Sequence, residues 1–126
     1  MRSNNDEALF VVEDMIIDKK VFDLLAWLLP KAERFPRVYR LTVTQRMMDA
    51  ALDTQEALIA AHRYRGQMRK RELDRADIAL DHLRIYLRLA HHWQWLSNAQ
   101  YQHVSRMVAN IGRLLGGWIQ QTSGSS

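Results

Sequence analysis

Apolar side chains return every three or four positions in four blocks of this chain, and prolines, glycines or polar runs separate the blocks. That spacing is the pattern of amphipathic helices. In the first block Leu9, Val12, Ile16, Leu24, Trp27 and Leu28 predict a helix from about Glu7 to Leu29, with Ser3-Asn4-Asn5-Asp6 available to cap it. Pro30 should kink or end that helix. Phe35-Pro36 makes Lys31 to Val38 a tight connector, because the residue before a proline is pushed out of helical dihedrals. A second helix is expected from about Tyr39 to Arg65. Met48, Leu52, Gln55 and Ile59 form its stripe, Met47, Ala51, Leu58 and Ala61 run alongside, and Gly66 marks its end.

The third block predicts a helix from about Glu72 to Trp93. Leu73, Ala76, Leu80, Leu83, Leu87 and Ala90 are its core stripe, widened by Ile78, Ala79, Tyr86 and Leu89, with Asp77, Asp81, Arg84 and Arg88 on a charged stripe. Ser97 stands three residues before Gln100, the spacing of a capping box, and opens the fourth helix. Val104, Met107, Val108, Ile111, Leu114, Leu115, Trp118 and Ile119 give that helix an unbroken apolar face. The first six residues and the small polar tail Thr122 to Ser126 are expected to be disordered. No useful stretch alternates with period two, and no Asn-Gly or Asp-Gly hairpin turn occurs. These patterns predict one all-α domain, an up-down-up-down antiparallel four-helix bundle.

Composition narrows the chemistry. Apolar residues are 48% of the chain, enough for a folded core and too many for a disordered protein. With no cysteine, disulfides, thiolate nucleophiles and cysteine–zinc sites are excluded. The polar N-terminus shows no signal peptide, and no apolar run approaches the roughly 20 residues of a membrane span, so the cytoplasm is the expected location. The formal charge is +4 and uneven. Residues 1–33 hold 4 basic and 7 acidic groups, residues 34–71 hold 9 and 3, and residues 72–126 hold 5 and 4. Arginine outnumbers lysine 14 to 4, and its planar fork suits bidentate recognition of phosphate or carboxylate. A nucleic acid or an acidic partner fits this balance, as does a merely solvated surface.

A catalytic or metal site is not visible. The residues three before His62, His82, His91, His92 and His103 are Ile59, Ala79, Arg88, Leu89 and Gln100, so the Glu-x-x-His pairs of a di-iron bundle are missing. Neither a Gly-x-Ser-x-Gly nucleophile turn nor a phosphate-cradling glycine loop occurs, and no cofactor is expected. Gly112 and Gly116, followed by Gly117 and Trp118, sit on the apolar fourth helix. Because glycine costs about 1 kcal/mol against alanine in a helix, they point to close packing between helices or subunits.

Pro30-Lys31-Ala32-Glu33-Arg34-Phe35-Pro36-Arg37 resembles the helix-loop signature of small four-helix proteins that include Avd, the accessory variability determinant of diversity-generating retroelements. Ala76-Asp77 with Leu83-Arg84-Ile85-Tyr86-Leu87-Arg88 is similar to the Avd third helix. Gly112-Arg113-Leu114-Leu115-Gly116-Gly117-Trp118-Ile119 is similar to its last, and the likeness spans about Met15 to Gln121. The resemblance implies a homopentameric ring that is required but not catalytic. It also implies a reverse-transcriptase partner and contact with template RNA and cDNA. By motif position Arg37, Arg84, Arg88 and Arg113 match the family. Arg63, Arg65, Arg69, Lys70 and Arg71 join them as candidate nucleic-acid or partner contacts because they cluster around the second interhelical connection, read as a loop. The acidic N-terminal segment and Trp93-Gln94-Trp95 depart from the family pattern. The alternative within this fold is the four-helix protein encoded by intervening sequences of ribosomal RNA genes, a basic ring without a reverse transcriptase.

Overall fold

A computed structural model describes residues 4–124 of the chain, with side chains from Ile16 onward. Ser3, Ser125 and Ser126 lie outside the described residues, as do the side chains of Leu9 and Val12. Four helices run α1 (Asn4–Ala32), α2 (Gln45–Arg63), α3 (Gly66–His92) and α4 (Asn98–Gly124). Neighbours along the chain are antiparallel, and α4 packs back on α1, closing an all-α bundle. Among the described residues no helix is long and apolar enough to cross a membrane.

Buried side chains meet along one core. α1 supplies Ile17, Val21, Leu24, Leu25 and Leu28, and α3 supplies the whole expected stripe from Leu73 to Ala90. α4 adds Val104, Val108, Ile111, Leu115 and Trp118. On α1 and α3 two residues of the expected apolar stripes lie outside the core, since Ile16 is 40% exposed and Ile78 is 57% exposed. On α2 the roles of the two stripes are exchanged. Met47, Ala51, Leu58 and Ala61 are buried together with Ala50, Thr54 and Ala57, while Leu52 and Ile59 stand in solvent. The alanines let α2 lie close against α3, while Met47 and Leu58 fill the core and Leu52 and Ile59 flank the contact.

The connections differ from the expected ones in instructive ways. Pro30 neither ends nor breaks α1, which continues to Ala32. Its missing N–H falls in the last turn, where only one bond is lost, and buried Leu28 and Ala32 hold the backbone on either side. The chain then tightens through Phe35 N–H donating to Ala32 O at 3.1 Å. From Arg37 the path is helical but irregular: a 3-10 turn, Arg37–Tyr39, precedes a wide π turn, Arg40–Thr44, and regular α geometry starts only at Gln45. Thr44 is buried, and its hydroxyl has no hydrogen-bond partner among the described residues.

α3 begins at Gly66, six residues before the expected Glu72. Tyr64 and Arg65 are extended, and Gly66 turns the chain with φ +58°, a conformation open to glycine at little cost. α4 opens on the expected reciprocal cap. Gln100 N–H donates to Ser97 Oγ at 3.1 Å, and Ser97 N–H donates to Gln100 Oε1 at 2.9 Å. The helix continues through Thr122 and Ser123 to Gly124, into the tail expected to fray.

Gly112 and Gly116 are unlike each other. A Cβ at Gly112 would lie 2.5 Å from Arg84 Nη2 and 3.6 Å from Leu80 Cδ2, whereas one at Gly116 would meet nothing within 4 Å. Close approach within the protomer is therefore real at Gly112 alone, and what approaches is a guanidinium rather than an apolar face.

Candidate nucleic-acid interface

The nine basic residues singled out by sequence do not form one surface. Arg63, Arg65, Arg69, Lys70 and Arg71 gather where α2 hands over to α3, but most of that run is helix rather than loop: Arg69, Lys70 and Arg71 lie in the first two turns of α3. Arg69 turns inward. Its Nε donates to Ala61 O at 2.8 Å, closing the C-terminus of α2, and its guanidinium sits 5.7 Å from the Trp118 ring centroid. A cation on the last carbonyls of a helix complements the negative end of the helix dipole, so Arg69 is a packing residue. His62 reinforces this corner, packing its ring 4.8 Å from Trp118 and meeting Asp18 of α1 at 3.0 Å. Arg63, Arg65 and Arg71 are exposed and Lys70 is half-buried. None of the four makes a side-chain hydrogen bond or ion pair among the described residues.

Arg84 also has a local role, because its Nη1 meets Asp81 Oδ1 at 2.6 Å while Nη2 rests over Gly112. The ion pair lies within α3, and Arg84 alone reaches across the seam to α4. Arg88, one turn further along, is exposed and has no such partner among the described residues, and Arg113 on α4 is likewise exposed.

Arg37 belongs to the opposite end of the bundle, separated from Arg63 by the length of α2, about 28 Å at 1.5 Å per residue. Here the C-terminus of α1, the 3-10 and π turns and the α3–α4 connection meet. No acidic residue occurs between Glu33 and Asp49, a stretch that holds Arg34, Arg37, Arg40 and Arg46. All four are exposed, with no side-chain partner among the described residues. Beside them lies an aromatic cluster. Tyr39 stacks on Trp93 with centroids 5.5 Å apart and planes 14° apart, and Trp95 packs at 5.1 Å from both and at 5.3 Å from buried Phe35. Gln94 holds the two tryptophans apart with φ +64°, in the left-handed region that a non-glycine residue seldom adopts.

Sequence reasoning reaches this end through Arg37 alone and misses its aromatic cluster. The Trp93-Gln94-Trp95 triplet is visible in the sequence, but Tyr39 lies far away and its spacing predicts only the start of an ordinary helix. Among the described residues, no three histidine, aspartate or glutamate side chains converge as metal ligands.

Residues 15–122 match the model of a family described as bAvd-like. No curated protein matches the chain. Among solved structures, a protein of unknown function from the S23 ribosomal protein family of Bacteroides thetaiotaomicron VPI-5482 is similar, with a TM-score of 0.78 over 86% of this chain and 98% of that one. At 12% identity that likeness shows the shared fold alone.

Proposed function

The chain belongs to the bAvd-like family, and from that membership we propose that it serves as a non-catalytic accessory protein of a diversity-generating retroelement. In this reading it binds the reverse transcriptase and the template RNA or cDNA while the element copies its template with errors. The observation that carries the nucleic-acid part is the set of arginines left unpaired among the described residues at both ends of the bundle: Arg34, Arg37 and Arg40 at one, Arg63, Arg65 and Arg71 at the other. Unpaired cations on a fixed scaffold can meet phosphates without first giving up a protein partner.

Self-assembly into a homopentameric ring is part of the proposal. Its support is an apolar face across α1 and α2, where Phe22, 63% exposed, and Ile59, 56% exposed, line one groove. The ribosomal-RNA intervening-sequence reading predicts a similar basic ring with no polymerase partner, and the neighbouring genes discriminate the two. An adjacent reverse transcriptase with a template and variable repeat pair favours the retroelement.

A salt titration of RNA binding tests the proposal, comparing the full chain with a variant carrying Arg63→Glu, Arg65→Glu and Arg71→Glu. Arg69 is left intact because it closes α2. On a single strand each phosphate contact contributes a slope of about −0.7 in log K against log salt, so the variant should bind more weakly and with a shallower slope. Unchanged affinity and slope, with normal helicity and mass, would remove this surface from the proposal. Loss of reverse-transcriptase capture with RNA affinity intact would reassign it to the protein partner.

A further inference from the structure

The end of the bundle that carries Tyr39 and Trp93 has features that a structural role does not require. Phe35 and Trp95 turn inward and complete the core, yet Trp93 remains 41% exposed and Tyr39 37% exposed. Val38 and Leu41 beside them are 79% and 84% exposed, and water gains nothing from their presence there. The backbone on both sides is irregular. At the π turn the Thr44 hydroxyl has no hydrogen-bond partner among the described residues, and Gln94 sits in the left-handed region. Such departures persist only where surrounding packing enforces them, and they cluster at functional sites. Together they place two parallel rings beside a stretch of chain, residues 34 to 48, that holds four arginines and no carboxylate.

We propose that this end is a stacking platform for a single-stranded polynucleotide, in which the exposed faces of Trp93 and Tyr39 take unpaired bases and Arg37 and Arg40 take the flanking phosphates. The inference rests on the nucleic-acid part of the function proposed above and gives it a location and a strand preference. Flat rings next to unpaired cations are what single-strand binders present, because every base has a π face and every linkage a charge. An acidic peptide would use the arginines but has no use for stacked rings. A duplex would use the arginines too, but its bases are already stacked on one another. Recognition by ring faces ignores the 2′-hydroxyl, so RNA and DNA single strands should bind alike.

The test uses the full chain and labelled homopolymers of uridine and thymidine, with a hairpin duplex as comparison. Trp93→Leu keeps apolar bulk and removes the ring. It should weaken both single strands between about fivefold and a hundredfold, the range for one lost base stack, and leave the duplex almost unmoved. Trp93→Phe should restore most of the binding. Tyr39→Leu, and separately Arg37→Gln with Arg40→Gln, provide independent readings should Trp93→Leu lose helicity or mass, and the arginine pair should also flatten the salt slope. Single-strand affinity unchanged in these variants, while the wild type binds, overturns the platform and leaves the basic connector end untouched. Equal losses for duplex and single strand also overturn it. If capture of the reverse transcriptase falls while polynucleotide affinity holds, the end docks protein and the proposal is wrong. Absence of any binding by the wild type removes the broader nucleic-acid reading as well.

Discussion

Replacing Gly112 by alanine should produce a stability change that depends on Arg84. In a helix interior alanine is favoured over glycine by about 1 kcal/mol. At Gly112 the new methyl would lie 2.5 Å from Arg84 Nη2, so the guanidinium must move, and it is held by Asp81. The side chains of that ion pair are 43% and 66% exposed. A pair so solvated contributes roughly 0.2–1 kcal/mol, and an arginine tip can swing away without disturbing the core. The two effects nearly offset, leaving Gly112→Ala between neutral and about 0.8 kcal/mol stabilising. In an Arg84→Ala background the nearest remaining neighbour is Leu80 Cδ2 at 3.6 Å, ordinary packing, and the same substitution should return the whole of about 1 kcal/mol. Urea unfolding of the four proteins in this cycle measures the coupling. If the gains with and without Arg84 agree within about 0.3 kcal/mol, the sites are independent and the seam contact has no energetic content.

Other substitutions separate packing residues from surface ones. Arg69→Met should destabilise the fold by about 1–3 kcal/mol, because it leaves Ala61 O without its charged donor, while Arg65→Met should stay within about 0.5 kcal/mol; equal effects in urea unfolding would refute the inward role of Arg69. Light scattering should give about five copies of the 14.8 kDa chain, and Phe22→Asp with Ile59→Asp should reduce that mass toward one copy. A mass that persists would move the interface elsewhere, and Gly116, open within the protomer, is the next position to test with alanine.

The legible parts of this fold are those where large side chains report their own burial. On α3 a leucine or alanine recurs at each inward position, so the stripe from Leu73 to Ala90 reads directly, although Ile78 and Ile85 interrupt the charged outer face. The α4 cap reads equally well, since Ser97 and Gln100 satisfy each other within one turn. On α2 the inward face is built from Ala50, Ala51, Ala57 and Ala61, which barely raise local hydrophobicity, while Leu52 and Ile59 attract attention and face outward. Charge counting found the arginine-rich middle of the chain but could not divide it. Arg37 and Arg63 are neighbours in composition and stand at opposite ends in space. Arg69 and Arg71, two residues apart, point to different fates because only Arg69 reaches the carbonyl at the end of α2. Nor does any local pattern announce that Tyr39 and Trp93 will stack, because their contact exists only once α1 and α4 have set the spacing of the turns between them.

The wide turn at Arg40–Thr44 acts as a phase shift. An α-helix advances about 100° per residue, and a turn that closes over five residues instead of four rotates everything before it by about one such step relative to the helix that follows. Without the shift, one angular phase would run from the core positions of α2 back through the residues before it, and burial would govern them all. With it, the residues from Arg37 to Leu41 are uncoupled from the repeat that keeps Met47 and Ala51 inside. Their apolar or cationic character can then change with little effect on the bundle, so a continuous helical rod holds a stability segment and a recognition segment that answer to different selective demands.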